Sequence, residues 1–274
     1  MKRFIKKPLT WITLTVTTVV LTMCAHWRPA KRFDPAPPQA NQLRVATWNV
    51  GYFAATSNKN LRDVDIERVA NTINTIQPDV IVLQELGKVE QADAIIKQLN
   101  GQWWHHAIKT GHGEQAIAIL SGIEIVDIES FENGGRMGLG ATLTTTQGKD
   151  IYLVGVHSPH PARGIKENKN SITQSLQHAD KQSQSIRIIT GDMNYNFDPE
   201  TEDDFYQEIT ETYGDGTIQL GETYYAHTRI DHMFHYPKDL KVDLGQSGIV
   251  DLPIRFTKVP GFRDHRPIVV TYEL

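Results

Sequence analysis

An α/β sandwich, two packed β-sheets covered by helices, is the fold class the sequence predicts, and three observations predict it. Strand-like runs rich in β-branched residues alternate with stretches of helical periodicity in both halves of the chain. Six of those runs end in, or abut, a polar or ionisable residue, as strands do when their ends converge on a rim. The part after residue 40 shows no repeat and no break in composition, so one domain is expected.

The first strand is Leu43-Arg44-Val45-Ala46-Thr47-Trp48-Asn49. Residues 61–77 read as a helix, because Ile66, Val69, Ala70, Ile73 and Ile76 recur at helical spacing before Pro78 stops it. The run Asp79-Val80-Ile81-Val82-Leu83-Gln84-Glu85 is the next strand, and residues 89–99 a shorter helix. Strands follow at 115–120, 124–131, 139–145 and 151–157. Residues 168–184, with Ile172, Leu176 and Ala179 at helical spacing in a polar background, predict a solvent-facing helix. The strand Ile186-Arg187-Ile188-Ile189-Thr190 then runs into Gly191-Asp192-Met193-Asn194. A short helix at 201–213 and strands at 229–235, 240–245 and 267–272 complete the pattern.

Asp192 and Asn194 stand two residues apart, and in a strand such positions share a face. Alone, Gly-Asp-X-Asn is as readily an ordinary turn. The other strand ends change that, since they supply Asn49, Glu85, His157, Asp231 and the Arg263-Asp264-His265-Arg266-Pro267 run. Thr47-Trp48-Asn49-Val50, Leu83-Gln84-Glu85, Gly191-Asp192-Met193-Asn194 and Asp264-His265-Arg266-Pro267, in this order, resemble the endonuclease/exonuclease/phosphatase superfamily, the family of DNase I. The resemblance covers the chain from Leu43 to Leu274. It implies a DNase I-like four-layer sandwich of two mixed β-sheets flanked by helices, and a divalent-metal-dependent hydrolase of phosphoester bonds. Two departures bear on substrate rather than fold: Arg263 stands where the family usually has Ser, and no long DNA-gripping insertion is present.

Asn49 and Glu85 are hard oxygen ligands that suit Mg²⁺ or Mn²⁺, and Asp264 either joins them or supports its neighbour His265. One ion or two remains open. Asp192 and Asn194 would orient the attacking water and hold phosphoryl oxygens, while His157 and His265 touch the phosphate. The resemblance implies that Asp231 supports a histidine, without saying which. Arg136, between Gly135 and an apolar strand, and the basic run Arg163, Lys166 and Lys169 after His157 are candidates for substrate phosphate. His105, His106, His112, His227, His232 and His235 match no motif and are read as structural.

Composition narrows the chemistry. Cys24 is the single cysteine, so the domain after residue 40 has no disulfide framework, thiolate metal site or cysteine nucleophile. Residues 1–40 hold seven Lys/Arg and one Asp, which leaves 21 basic against 31 acidic residues in the domain. That net of −10 disfavours tight binding of nucleic-acid backbone through a broad cationic face.

The first 40 residues read as a targeting segment followed by a Pro-rich linker. Four basic residues precede an apolar stretch from Leu9 to Ala25, with Arg28, Lys31, Arg32 and Asp34-Pro35-Ala36-Pro37-Pro38 after it. An uncleaved anchor in a bacterial inner membrane, with the domain facing the periplasm, is the first expectation. A cleaved signal, or a lipoprotein lipidated at Cys24, is the alternative. A monomer is expected.

Taken together, the expected activity is a nuclease-type phosphodiesterase that uses direct water attack. The alternatives are a lipid or small-molecule phosphoesterase and a non-catalytic binding module. A binding module would have lost Glu85, Asp192, Asn194 or His265, and all four are present.

Overall fold

The computed structural model describes residues 31–34, 36–37, 39–51, 63–111, 115–197, 203–223, 228–251 and 265–274. The chain order is β1 (Gln42–Asn49), α1 (Asp63–Ile76), β2 (Val80–Leu86), α2 (Glu90–Ile96), β3 (Trp104–Lys109), β4 (Ala116–Ser121), β5 (Glu124–Asn133) and β6 (Arg136–Thr144). There follow β7 (Asp150–His157), α3 (Ile165–Asp180), β8 (Ile186–Asp192), α4 (Asp204–Thr212), β9 (Gly214–Asp215), β10 (Asp231–Tyr236), β11 (Gly248–Ile249) and β12 (Ile268–Glu273).

The strands form two six-stranded mixed sheets, ordered β11-β12-β1-β2-β4-β3 and β5-β6-β7-β8-β10-β9. Each has one parallel pair at its centre, β1 with β2 and β7 with β8, flanked by antiparallel partners. A helix bridges each parallel pair, as parallel connections require.

Three apolar clusters show the four layers. Leu43, Val45, Val80, Val82, Leu153, Ile188 and Met233 meet between the sheets. On the outer face of the first sheet, Ala46, Trp48, Ile81 and Leu83 pack against Ile66, Val69, Ile73 and Ile76 of α1 and Ile95 of α2. On the outer face of the second, Tyr152, Val154 and Ile189 pack against Ile172 and Leu176 of α3 and Phe205 and Ile209 of α4. Burying each Ile or Leu of this kind contributes about 1.5–3 kcal/mol. Helix α1 stops where the sequence says it should: Gln77 takes a left-handed φ of 52° and donates its N–H to the Ile73 carbonyl at 2.8 Å, and Pro78 cannot continue the helix.

Several elements depart from expectation. The stretch 240–245 is not a strand: Val242 makes a single bridge to Tyr272, and the Asp243 carboxylate accepts from the N–H groups of Gly245 and Gln246, coiling Leu244–Gln246 into a 3-10 turn. Strand β3 was not foreseen, because its half-buried edge position leaves no clean alternation in Trp-His-His-Ala-Ile-Lys. Helix α3 starts earlier than expected and is not solvent-facing, since it buries Asn168, Ser171 and Ser175 beside Ile172, Leu176 and Ala179. Part of the segment read as linker docks on the domain. Ile249 donates to the Lys31 carbonyl at 2.7 Å and Phe33 donates to that of Ile249 at 2.9 Å, so the free edge of β11 is covered. Residues 1–30, with the targeting segment and Cys24, lie outside the described residues. Among the described residues no helix is long and apolar enough to cross a membrane.

Candidate active site

The period of two along each strand decides which side chains reach the rim. In β1, Asn49 shares its face with Leu43 and Val45; in β7, His157 shares it with Ile151 and Leu153; in β8, Asp192 shares it with Ile186 and Ile188; in β10, Asp231 shares it with Met233. All four therefore point into the seam between the sheets, at one end. Glu85 breaks the rule. By alternation it belongs with Ile81 and Leu83 on the helix side, but its φ of 58° and the register shift between Leu83 and Leu86 re-aim it at the rim. Asn194, just past β8, is likewise left-handed at φ 50°. Two non-glycine residues in this region, both at one site, mark conformations that the surroundings enforce.

Gly191 has a steric reason. At its φ of 148° an added Cβ would stand 1.9 Å from the Val156 carbonyl oxygen, so the approach of β8 to β7 requires glycine.

Asp192 is the hub. It is 1% exposed; its Oδ2 accepts from Asn49 Nδ2 at 2.8 Å and from Asn194 Nδ2 at 3.2 Å, and its Oδ1 accepts from the Asn194 backbone N–H at 2.8 Å. The same Oδ2 lies 3.6 Å from His157 Nε2 and 3.7 Å from His265 Nε2, while His157 Nε2 lies 3.5 Å from Glu85 Oε1. Those separations exceed good hydrogen bonds; with Oδ2 of Asp192 already accepting twice, its Oδ1 and the Glu85 carboxylate keep lone pairs for another partner.

On the far side of Asp192, His265 Nδ1 sits 2.9 and 2.8 Å from Oδ1 and Oδ2 of Asp231. This answers which histidine Asp231 supports. Thr223 completes the arrangement: its Oγ1 donates to Asp231 Oδ2 at 2.9 Å and accepts from the Ile230 and Asp231 N–H groups at 3.2 Å. Nothing in the Gly221-Glu222-Thr223 sequence signals that role.

Burial opposes the charge on Glu85, but His157, Asn49 and His265 outweigh it and bring the carboxyl down to about 2. For His265 burial would lower the value, and Asp231, Asp192 and Glu85 instead raise it to about 10. Burial pushes Asp231 up, with His265 pulling against it. Burial also lowers Arg136, against the pull of Asp192 and Glu85. The cluster at neutral pH therefore joins an ionised Glu85 to a protonated His265 paired with Asp231.

Among the described residues, two groups of side chains have metal-compatible spacing, Glu85 with His157 and Asp192, and Asp192 with Asp231 and His265. In the second, His265 is protonated and committed to Asp231, which leaves it no lone pair for an ion. The first keeps an ionised carboxylate, and Asn49 beside it adds an amide oxygen. That set fits a hard divalent cation. Asn49 Oδ1 already accepts from the Gly51 N–H at 2.9 Å, which uses one of its two lone pairs.

The remaining candidates divide. Arg136 is 6% exposed and its Nη1 donates to the His157 carbonyl at 3.3 Å, so it abuts the cluster. Arg163 is exposed at the end of the 3-10 turn Pro161–Arg163, near enough to Arg136 to repel it. Lys166 is exposed on the first turn of α3. Lys169 lies on α3, and its ammonium is 5.2 and 4.8 Å from the ring centroids of Tyr195 and Phe205, a cation–π seat. Asp264, His112 and His227 lie outside the described residues. His232 is fully buried and its Nε2–H donates to the Arg229 carbonyl at 2.7 Å, as a structural histidine should.

A four-layer sandwich with a carboxylate, amide and imidazole cluster between its sheets defines a phosphoester hydrolase. The chain belongs to the Endonuclease/Exonuclease/phosphatase family, whose model matches residues 46–256. No curated protein sequence matches it. Among solved structures it is similar to an endonuclease/exonuclease/phosphatase from Bacteroides vulgatus, with 17% identity, TM-score 0.67, and coverage of 85% of this chain and 99% of that one. It is also similar to D. rerio TDP2 in complex with a single-strand DNA product (18% identity, TM-score 0.64, coverage 85% and 99%). A third is a mannosyl-6-phosphatase from Bacteroides thetaiotaomicron (16% identity, TM-score 0.59, coverage 83% and 98%). At these identities the likeness establishes the DNase I-like fold.

Proposed function

We propose that this chain is a divalent-metal-dependent phosphodiesterase of nuclease type that hydrolyses its substrate by direct attack of water. The observation that carries the reading is the convergence on Asp192 of Asn49, Asn194, His157 and His265, with ionised Glu85 alongside. Glu85, Asp192 and Asn49 would hold Mg²⁺ or Mn²⁺, with Asp264 expected beside them from sequence. Bound there, the ion would polarise a phosphoryl oxygen and offset the charge of the leaving group.

The protein's own groups supply the rest. The Asp192 carboxylate accepts the proton of a water that Asn194 helps to orient, and His265, protonated through its pairing with Asp231, donates from Nε2 to a phosphoryl oxygen as negative charge develops there. His157 Nε2, held between Glu85 and Asp192, stands on the opposite side of that oxygen cluster. Arg136, with Arg163 and Lys166 at the mouth, steers the phosphate.

TDP2, with its bound DNA product, favours nucleic acid as the substrate class. A second reading, a lipid or small-molecule phosphoester, is favoured by the acidic domain and by the mannosyl-6-phosphatase neighbour. The basic and apolar start of the chain supports placement at a membrane or export from the cytoplasm. Full-length protein with Mg²⁺ or Mn²⁺, assayed on plasmid DNA, single-stranded DNA, RNA, sphingomyelin and an inositol phosphate, tests the proposal. Cleavage of a nucleic acid, lowered at least ~10²-fold in Asp192→Asn, is expected. Turnover confined to the lipid or the monoester would transfer the assignment to the second reading, and equal rates in Asp192→Asn would remove the rim from catalysis.

A further inference from the structure

We infer that Asn168 is a positioning residue that holds the loop following His157 in register with the loop that follows Asp192 and carries Asn194; the inference rests on the hydrolytic reading of the site. Asn168 is fully buried on the first turn of α3. Its Nδ2 donates to the carbonyl of Pro159 at 2.7 Å and to that of Met193 at 2.8 Å. One carbonyl lies two residues beyond His157 and the other one residue beyond Asp192.

The need for such a tie follows from where the sheet ends. The β7–β8 ladder pairs His157 with Asp192, and the last backbone bond across it runs from the Ser158 N–H to the Asp192 carbonyl at 2.9 Å. Past that point the two chains separate, and among the described residues no backbone donor reaches the Pro159 or Met193 carbonyl. Both residues are buried, so their carbonyls need donors. A carboxamide can give two hydrogens from one nitrogen, and Asn168 spends both in this way; its Oδ1 accepts nothing among the described residues. The side chain therefore acts as a double donor and not as an acceptor. Asn194 Nδ2, donating to the Ser158 carbonyl at 3.1 Å, makes the companion tie from the catalytic side.

Asn is a poor residue for a helix interior, and the neighbouring buried Ser175 has a purely local bond, from Oγ to the Ser171 carbonyl at 3.1 Å. Ser175 thus provides a control with the same burial and helix face but no link to either loop. If both loops drift when Asn168 is replaced, Asn194 and the strand ends at His157 and Asp192 shift relative to one another, and a displacement near 1 Å is enough to lower turnover about 10²-fold.

The test uses the full chain with Mn²⁺ and bis(4-nitrophenyl) phosphate as the probe, comparing wild type with Asn168→Asp, Asn168→Ala, Asn168→Ser and Ser175→Ala. Asp keeps the shape and abolishes the donation, so it separates the two bonds from simple packing; Ser keeps one small donor should the other variants fail to fold. Expected is a kcat at least ~10-fold lower in each folded Asn168 variant with KM changed less than ~3-fold, and wild-type kcat in Ser175→Ala. Hydrogen exchange should accelerate in residues 157–163 and in residues 192–197 for the Asn168 variants alone. Unaltered exchange in both segments would overturn the tie whatever the rates, and faster exchange with wild-type kcat would overturn its part in positioning. Absence of wild-type turnover would instead overturn the hydrolytic reading on which the inference stands.

Discussion

Replacing Asp231 by Asn should strip His265 of its charge at neutral pH while leaving the ring in place. The carboxylate meets Nδ1 at 2.8–2.9 Å and is itself held by Thr223, so the geometry needs no movement to accommodate an isosteric amide. In the native protein His265 is raised from 6.5 to about 10, which corresponds to about 5 kcal/mol in favour of the protonated ring. Asp231 is the largest contributor working against burial. Without it only Asp192 and Glu85 oppose burial, so the pKa should fall; in the neutral ring Nδ1 accepts from the new amide and the single proton stays on Nε2. The donor toward substrate survives, but its charge does not, and the plateau rate should fall ~10²-fold. The pH dependence carries the sign. His265 has a folded pKa above its unfolded one, so its stabilising charge is fully present below about 6.5 and is lost as pH rises toward about 10. Wild-type stability should therefore decline over that window, and Asp231→Asn should flatten the decline. Histidine Cε1–H titration by NMR, urea unfolding at pH 6 and 9.5, and kcat against pH measure the three consequences. A His265 resonance that titrates near the same pH in both proteins would refute the pairing as the source of the charge.

Three further outcomes are expected. EDTA should abolish turnover and Mg²⁺ or Mn²⁺ restore it, with Glu85→Gln raising the metal concentration for half-activity at least ~10-fold; full activity in EDTA would remove the metal from the reaction. Gly191→Ala places a methyl group against the Val156 carbonyl at 1.9 Å in a backbone conformation foreign to alanine, so thermal unfolding should show a loss of at least ~3 kcal/mol, and a melting temperature within two or three degrees of wild type would contradict the geometry. Burial and nearby Arg229 hold His232 down to about 4, so this group should contribute a loss of about 3 kcal/mol of stability as pH falls from about 6.5 to 4; in His232→Gln the acid slope should shrink by about that amount, and an unchanged slope would assign acid sensitivity elsewhere.

The layers of this fold were legible because its strands obey simple periodicity. Leu43, Val45 and Asn49 stand even numbers of residues apart, as do Ile188 and Asp192, so a reader of the sequence can place the polar ends on the same face as the core residues. Glu85 was found by its place in an ordered motif and not by physics: alternation alone would have pointed it at α1, and the left-handed turn that redirects it leaves no mark in Leu-Gln-Glu-Leu. The pairing of Asp231 with His265 joins residues 34 positions apart, a meeting that only topology decides. Thr223 and Asn168 were missed because a hydroxyl in a loop and an amide in a polar helix look solvated until the partner backbone is known. Asn168 did leave one faint sign, since it extends the series Ile172, Leu176, Ala179 backwards by one turn onto the buried face.

The position of the site follows from handing one architectural unit to each sheet. Strands β1 and β2 run parallel with α1 across the outer face, and β7 and β8 run parallel with α3 across the other. Parallel pairs end together, so each unit delivers two carboxyl-terminal strand ends to one rim: Asn49 and Glu85 from the first, His157 and Asp192 from the second. The bond from Asn49 to Asp192 shows the two units meeting end to end across the seam. Antiparallel β10 and β12 begin where those strands finish, which is why Asp231 and His265 arrive at the same place from the opposite chain direction. Each strand end thus places a polar side chain at the rim while the three apolar clusters fix the strands behind it. The same logic locates the substrate determinants in the segments that leave the rim, above all the one from His157 to Lys169. Exchanging Arg163 and Lys166 for Ala should therefore reduce the salt dependence of cleavage on a nucleic acid, by a slope of roughly 0.9 for every phosphate of duplex DNA that is no longer neutralised. An unchanged salt slope would mean that those two cations face water and that the substrate is gripped from elsewhere on the rim.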